Sequence, residues 1–285
     1  MPEISKIGII GAGTMGAGIA QVAAGSGYRV ALVDTADEFV ERGVERIESG
    51  YQRLVDKDRL SGADRDAALG RIDAGTEIAA LADADLVIEA VVESLEVKAA
   101  VFGDVADCVA PSTILASNTS SISITALAGT VPHPERFAGM HFFNPVPVMQ
   151  LVEVVRGLQT SDATAATIQA VAAKMGKTAV TVDDQPGFVA NRILMPMINE
   201  AVFALADGVG SAEEIDTVMR LGASHPMGPL ALADLIGLDV CLHIMEVLHA
   251  DFGDDKYRPA PLLRKMVGAG RLGRKSGQGF HRYES

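Results

Sequence analysis

Cysteine, long apolar runs and basic charge are all scarce in this 285-residue sequence. Its two cysteines, Cys108 and Cys241, match no metal-ligand spacing, so we expect two ordinary thiols in a reducing cytosol and no metal site. No apolar run approaches the roughly 20 residues that cross a bilayer. The first residues, MPEISKIGII, lack the pattern of a signal peptide. These absences predict a soluble cytoplasmic protein that does not insert into membranes.

The shortage of basic residues excludes a second group of partners. The sequence has 24 Lys and Arg against 37 Asp and Glu, which gives a formal net charge of −13. A chain this acidic is not expected to bind nucleic acid or an anionic membrane surface. A small polyanionic ligand stays possible, because screening over about 8 Å at physiological salt lets a few local cations outweigh a distant acidic surface.

The first two thirds of the chain alternates short β-branched runs with helical stretches. Strands are predicted over residues 6–10, 28–34, 85–90, 113–117, 137–141, 151–155 and 178–182. Helices are predicted over residues 14–27, 36–57, 62–72, 94–108 and 162–176. Such alternation predicts an α/β fold, doubly wound, with a mostly parallel sheet covered by helices on both faces.

The pattern changes near residue 185, after which only helical segments are predicted. A long apolar helix is expected over 188–207, Ser211 and Glu214 form a capping-box signal for another, and a third helical region covers 227–252. We therefore predict a dinucleotide-binding domain over residues 1–185 and an all-helical domain over 186–285. The apolar excess of the second domain predicts that it pairs two subunits as a homodimer.

A glycine-rich turn is the strongest local signal. The run Gly11-Ala12-Gly13-Thr14-Met15-Gly16 follows the first predicted strand and opens a helix, and Asp34 closes the second strand. In this context Gly11 allows the tight turn, Gly13 lets the backbone approach a pyrophosphate, and Gly16 allows close packing of helix and strand. Asp34 would accept hydrogen bonds from the adenosine ribose and repel a 2′-phosphate. The sequence thus predicts a Rossmann fold that prefers NAD to NADP.

Candidate catalytic groups follow other strands. His141 ends a predicted strand, and Glu153 lies inside the next one, where a buried carboxylate needs a partner. A His–Glu pair across neighbouring strands would meet that need and fix the histidine tautomer. Ser120 also follows a strand, and Asn191 lies on an apolar helix. Each also has a purely structural interpretation: a strand-end histidine, a serine-rich turn, or an asparagine bonded to the backbone.

Five longer segments resemble the 3-hydroxyacyl-CoA dehydrogenase family, and the similarity runs from residue 6 to residue 283. The segments are Ser117–Ser121 (SNTSS), His141–Pro147 (HFFNPVP), Pro186–Arg192 (PGFVANR), Gly222–Pro229 (GASHPMGP) and Gly273–Phe280 (GRKSGQGF). Within the family, the chain is most similar to the single-function bacterial 3-hydroxybutyryl-CoA dehydrogenases. The resemblance implies an NAD-dependent enzyme that interconverts acetoacetyl-CoA and 3-hydroxybutyryl-CoA.

The resemblance also implies residue roles. His141 would be the general acid/base, Glu153 its orienting carboxylate, and Ser120 and Asn191 would bind the 3-oxygen and the thioester end of the substrate. Besides the glycine turn and Asp34, cofactor contacts are implied at Ala90, Glu93, Lys98, Asn118, Ser120, Asn144 and Lys275. Arg53 and Lys57 correspond to basic residues that contact coenzyme A, although composition alone fits a solvated helix face equally well.

Two other functions fit parts of the pattern. One is an NAD-dependent dehydrogenase of free hydroxy acids, which would need a cation to hold the substrate carboxylate, and Arg192 is the candidate within the motifs. The other is a crystallin-like protein that binds NAD without catalysis. The presence of His141, Glu153, Ser120 and Asn191 together argues against the non-catalytic alternative, and an assay of a free 3-hydroxy acid against its CoA thioester separates the two enzymes.

Overall fold

The structure is a computed structural model that describes residues 4–283. The chain divides into two compact units, the first ending at Asp184 and the second beginning at Gln185. Residues 1–3 and 284–285, the outer ends of the predicted domains 1–185 and 186–285, lie outside the described residues.

The first unit is built on one eight-stranded sheet with the order β3-β2-β1-β4-β5-β6-β7-β8. The strands are β1 (Lys6–Ile10), β2 (Arg29–Val33), β3 (Ile72–Gly75), β4 (Leu86–Glu89), β5 (Ile114–Ser117), β6 (Phe137–Phe142), β7 (Leu151–Arg156) and β8 (Thr178–Asp183). Strands β1, β4, β5 and β6 are almost entirely buried, as the continuous β-branched and apolar runs predict.

Within residues 4–184, six α-helices connect the strands. They are α1 (Thr14–Gly25), α2 (Asp37–Val55), α3 (Gly62–Leu69), α4 (Leu95–Cys108), α5 (Ile124–Ala128) and α6 (Asp162–Lys174). Helix α4 begins after Ser94, whose side chain accepts a hydrogen bond from the Val97 amide and caps the helix. The small residues of α1 pack on β1 and β2 in a single apolar core.

Strand direction determines where functional groups meet. Strands β1 to β6 are all parallel, whereas β7 runs antiparallel to β6 and pairs in parallel with β8. The predicted mostly parallel, doubly wound sheet is confirmed. Ligands of such sheets bind beyond the carboxyl ends of the strands, where the connections leave in opposite directions, here between β1 and β4.

The sequence prediction is wrong in two places in this unit. A helix was expected to run through residue 72, but α3 ends at Leu69 and Ile72 begins β3. β3 has only four residues and includes Asp73 and Gly75, so it carries no β-branched run that would identify it. Helix α5 was not predicted because its five residues are too few to show helical periodicity.

The second unit is helical, as expected. Its helices are α7 (Ala190–Ala206), α8 (Ala212–Gly222), α9 (Pro229–Ile236), α10 (Leu238–Phe252) and α11 (Pro261–Gly268). The capping box of Ser211 and Glu214 is present at the start of α8. The single region predicted over 227–252 is divided at Gly237, whose φ of 106° interrupts the helix. None of the helices in residues 4–283 combines the length and apolar character needed to cross a bilayer.

Candidate active site

The glycine turn joins β1 to α1 and shows why two of its glycines are required. Gly11 has a φ of 96°, and a Cβ there would lie 2.6 Å from the Ala90 carbonyl oxygen. A Cβ on Gly16 would overlap the Gly11 carbonyl oxygen. Neither position accepts a side chain, so both glycines serve the fold. The Ala90 backbone, expected to contact the cofactor, packs directly on this turn.

Gly13 is different, since a Cβ on it would meet no atom within 4 Å. Gly13 is the N-cap of α1, where no side chain caps the helix and the first turn contains no acidic residue. The first backbone N–H groups of a helix carry a partial positive charge that suits a phosphate. Open space and uncapped amides at this helix start fit the pyrophosphate of a dinucleotide.

Asp34 follows β2 and supports the same turn. One carboxylate oxygen accepts a hydrogen bond from the Ala12 amide at 2.6 Å, and the other accepts one from the Thr35 amide at 2.7 Å. The two oxygens of a carboxylate offer about four acceptor sites. Asp34 can therefore hold the glycine turn in position and also accept hydrogen bonds from a ribose.

His141 and Glu153 are direct neighbours across the β6–β7 pair. The antiparallel register places the two residues opposite each other, and His141 Nδ1 lies 2.8 Å from a Glu153 carboxylate oxygen. Both side chains are buried. The pairing expected from the buried charge is found, and it results from the reversal of β7. The contact leaves a ring with one nitrogen oriented by a carboxylate, the arrangement required of a general acid/base.

The loop after β5 lies beside this pair. The Asn118 side-chain oxygen accepts a hydrogen bond from the Phe142 amide at 2.9 Å, one residue beyond His141. The Asn118 amide in turn donates to the carbonyl oxygen of Glu89 at the end of β4. Asn118 therefore joins the carboxyl ends of β4 and β6, where a bound dinucleotide would place its nicotinamide.

Glu93 accepts several hydrogen bonds from the same loop. One of its carboxylate oxygens accepts the Thr119 hydroxyl at 2.6 Å, the Ser120 amide at 2.9 Å and the Ser121 hydroxyl at 3.0 Å. Burial alone would raise the pKa of Glu93, but the Lys98 ammonium and the hydrogen bonds from the loop outweigh burial. The pKa therefore falls below its ordinary value, and the carboxylate stays ionised.

Lys98 was expected to contact the cofactor, and the structure gives it other partners. Its ammonium lies 2.6 Å from a Glu89 carboxylate oxygen, 3.2 Å from Glu93 and 3.4 Å from the Val91 carbonyl oxygen. Its side chain is only 1% exposed. The second Glu89 oxygen accepts the Ser117 hydroxyl at 2.6 Å. Sequence reasoning missed Glu89, although a carboxylate inside an apolar strand is the signal that identified Glu153.

A basic cleft opens beside α1 and α2 in the first unit. It has a volume of about 1140 Å³ and contains Asn144, Arg53 and Lys57, all predicted to contact ligands. Further cations line it: Arg42, Arg46, Arg59 and Lys177. Lys177 donates to the carbonyl oxygens of Val146 and Met149, at 2.5 and 2.7 Å, and so holds the segment that follows Asn144. The cleft concentrates positive charge in an acidic chain.

The remaining predicted site residues belong to the helical unit. Asn191 is buried near the start of α7. Lys275 donates a hydrogen bond to a carboxylate oxygen of Asp239 at 2.7 Å, and the two form an ion pair. Both cysteines are free thiols. Among residues 4–283, no group of three or more histidine, cysteine or acidic side chains could hold a metal ion.

Comparison with known proteins gives a consistent result over both units. The family model described as 3-hydroxyacyl-CoA dehydrogenase, NAD binding domain, matches residues 6–185, and the C-terminal domain model matches residues 187–283. The chain is 57% identical over 278 residues to a probable 3-hydroxybutyryl-CoA dehydrogenase of Deinococcus radiodurans, covering 98% of this chain and 100% of that protein. A Bacillus subtilis protein of the same description is 52% identical, covering 99% of this chain and 98% of its own.

A solved structure also matches the chain over almost its whole length. The crystal structure of (S)-3-hydroxybutyryl-CoA dehydrogenase from Ralstonia eutropha superposes with a TM-score of 0.97 at 52% identity. The match covers 99% of this chain and 100% of that chain.

The two glycines can be separated experimentally. Gly16→Ala should lower the free energy of unfolding by about 1–3 kcal/mol, because the new methyl group overlaps backbone. Gly13→Ala should unfold like the wild type, since its Cβ meets no atom and its φ of −65° suits alanine. It should nevertheless bind NADH more weakly. Urea unfolding measures the stability of both variants, and NADH fluorescence titration measures their affinity. Wild-type NADH affinity in Gly13→Ala would show that the pyrophosphate does not bind at this turn.

Proposed function

This chain belongs to the 3-hydroxyacyl-CoA dehydrogenase family, and from that premise we propose that it interconverts acetoacetyl-CoA and (S)-3-hydroxybutyryl-CoA with NAD(H). Membership makes it an NAD-dependent oxidoreductase with a Rossmann-type NAD-binding domain. The four-carbon substrate is proposed because relatives at 52–57% identity are described as 3-hydroxybutyryl-CoA dehydrogenases and match this chain over nearly their whole length. The observation that supports catalysis is the buried His141–Glu153 pair at the carboxyl edge of the sheet.

Bound NAD supplies the hydride acceptor for oxidation, and NADH supplies the donor for reduction. In the oxidation direction, His141 takes the proton of the 3-hydroxyl group as carbon 3 of the substrate is oxidised. In the reverse direction, protonated His141 returns a proton to the 3-oxygen. Because Nδ1 faces Glu153, we assign this transfer to Nε2. Ser120 and Asn191 are proposed to bind the 3-oxygen and the thioester end of the substrate.

Glu153 orients the ring and stabilises the positive charge that develops on it. A carboxylate 2.8 Å from Nδ1 fixes the tautomer in which Nδ1 carries hydrogen, which leaves proton exchange to the other nitrogen. Both groups are buried, so water does not compete for the contact. Glu153 therefore acts through His141, and we assign it no direct contact with the substrate.

The basic cleft supports coenzyme A as the activating group. Arg53 and Lys57 line it together with Arg42, Arg46 and Arg59, while one acidic side chain, Glu45, lies among them. Coenzyme A carries several phosphates, and guanidinium groups bind phosphate through paired hydrogen bonds. A free hydroxy acid carries a single carboxylate and would need one cation, far fewer than the cleft provides. The cleft therefore favours the thioester over the free-acid alternative.

A homodimer formed through the helical unit completes the proposal, together with the cytoplasmic location inferred from the sequence. Large apolar side chains are exposed on this unit, including Ile193 at 68%, Val218 at 66% and Leu221 at 79%. Exposed apolar groups of this size are typical of protein interfaces. Light scattering should give twice the 29.8 kDa chain mass. Val218→Asp with Leu221→Asp should shift the mass toward the monomer, and a monomeric wild type would contradict the proposal.

Replacing the proposed base gives the most direct test of the chemistry. His141→Gln should lower kcat for acetoacetyl-CoA reduction by about 10²–10⁴-fold, because the side chain no longer transfers protons. Glu153→Gln should lower it less, since the ring remains. NADH affinity and the unfolding midpoint serve as controls and should stay near wild type for His141→Gln. Near-normal turnover in His141→Gln would assign the proton transfer to another group.

The cleft assignment is tested with a substrate that lacks the nucleotide. Replacing Arg53 and Lys57 together by alanine should raise KM for acetoacetyl-CoA about tenfold or more, because each charge-assisted hydrogen bond to phosphate contributes roughly 1.5–3 kcal/mol. The same variant should process the acetoacetyl thioester of N-acetylcysteamine like the wild type. Arg29→Ala, which removes an exposed cation outside the cleft, is the charge control. An equal loss on both substrates would place coenzyme A elsewhere.

A further inference from the structure

Glu89 and Lys98 form an ion pair that is fully enclosed by the first unit. Their side chains are 0% and 1% exposed, and the ammonium lies 2.6 Å from a Glu89 carboxylate oxygen. Glu89 ends β4, and the Gly11 turn packs on Ala90, the next residue. Buried ion pairs contribute little net stability, because desolvation offsets their attraction. A gain in stability is therefore a poor explanation for this buried ion pair.

The donors of Lys98 are all committed to neighbours. An ammonium group has three hydrogens, and its three contacts here are Glu89, Glu93 and the Val91 carbonyl oxygen. The side chain is enclosed, so its influence on a bound cofactor passes through Glu93, which keeps 28% exposure. Lys98 thus bridges the Glu89 and Glu93 carboxylates.

Two routes lead from Glu89 to one loop. In the first, Lys98 joins Glu89 to Glu93, whose other oxygen accepts hydrogen bonds from the Ser120 and Ser121 amides. In the second, the Glu89 carboxylate accepts the Ser117 hydroxyl, and the Ser117 oxygen accepts the Thr119 amide at 3.1 Å. Both routes end on the segment Ser117–Ser121.

We propose that Glu89 is a positioning residue for the dehydrogenase reaction, holding the Ser117–Ser121 loop through Lys98 and Ser117 so that Asn118 and Ser120 keep their places beside His141. The catalytic roles of Asn118 and Ser120 rest on the proposed function, whereas the attachment of the loop to Glu89 does not. Misplacement of a reacting group by about 1 Å can cost on the order of 100-fold in rate. The residue is expected to affect kcat far more than ligand affinity.

Glu89→Gln removes the charge and keeps the shape. We expect kcat for acetoacetyl-CoA to fall about 10- to 100-fold. KM for acetoacetyl-CoA and the NADH dissociation constant should change less than about threefold, since the hydrogen bonds of the Glu89 carboxylate go to Val91, Lys98 and Ser117 and not to the glycine turn or the basic cleft. Without any ligand, the amides of Thr119, Ser120 and Ser121 should exchange hydrogen faster than in the wild type. The last readout is independent of activity.

Thr113→Val is the matched control. Thr113 precedes β5 at the end opposite Ser117, is buried, and donates a hydrogen bond to the Ala84 carbonyl oxygen at 2.8 Å. Its replacement removes a buried hydrogen bond at the far end of β5 without touching the loop. It should lower the unfolding midpoint but keep kcat and the exchange rates of residues 119–121.

Should Glu89→Gln fail to fold because Lys98 loses its nearest carboxylate, Glu89→Gln combined with Lys98→Met removes the buried ammonium as well and is measured instead. Wild-type kcat together with wild-type amide exchange in the folded variant would overturn the inference. A wild-type enzyme that reduces no CoA thioester would refute the proposed function, and the exchange measurement would still decide whether Glu89 holds the loop.

Discussion

A carboxylate buried inside a sheet must find a charged or hydrogen-bonding partner. This requirement explains two contacts at the carboxyl edge of the sheet in the first unit. Glu89 and Glu153 are buried in different strands, and each is paired with a cation or an imidazole. Glu153 orients His141, while Glu89 reaches the loop that carries Ser120. Two glutamates placed in apolar strands thus account for the positions of groups contributed by three separate segments.

The reversal of β7 is the topological step that makes the first pair possible. In a parallel sheet, side chains at the carboxyl end of one strand meet the carboxyl end of its neighbour. Because β7 runs the other way, Glu153 enters near the start of its strand and lies directly opposite His141, near the end of β6. The eleven residues between them in sequence include the return, which also carries Asn144. One chain reversal therefore serves both the histidine and the expected nicotinamide contact.

Local sequence signals were sufficient wherever the constraint itself is local. Gly16 is required by its contact with Gly11 inside the turn, and Gly11 by its own positive φ of 96°, so the motif predicts both. The His141–Glu153 pair was predicted because a buried charge calls for a partner and the neighbouring strand offered one. Glu89 was missed because its partner, Lys98, lies on a helix, where a lysine gives no sign of burial. The four-residue β3 was missed for lack of a pattern. The roles of Asn191 and Lys275 depend on tertiary placement, which spacing does not encode.

The charge distribution explains how an acidic protein can favour a polyanionic substrate. The formal net charge is −13, yet the cleft beside α2 is lined by five arginine or lysine side chains from residues 42–59 and by Lys177. With screening over about 8 Å, a phosphate inside the cleft responds mainly to these groups and little to acids on other faces. The dinucleotide is treated differently, since its expected pyrophosphate site consists of backbone amides and a glycine that leaves open space. Backbone amides accommodate a pyrophosphate at fixed geometry, whereas long basic side chains adapt to a flexible nucleotide arm. Substitutions at Arg53 and Lys57 are therefore expected to change the charge of the cleft and to leave the backbone amides of the glycine turn in place.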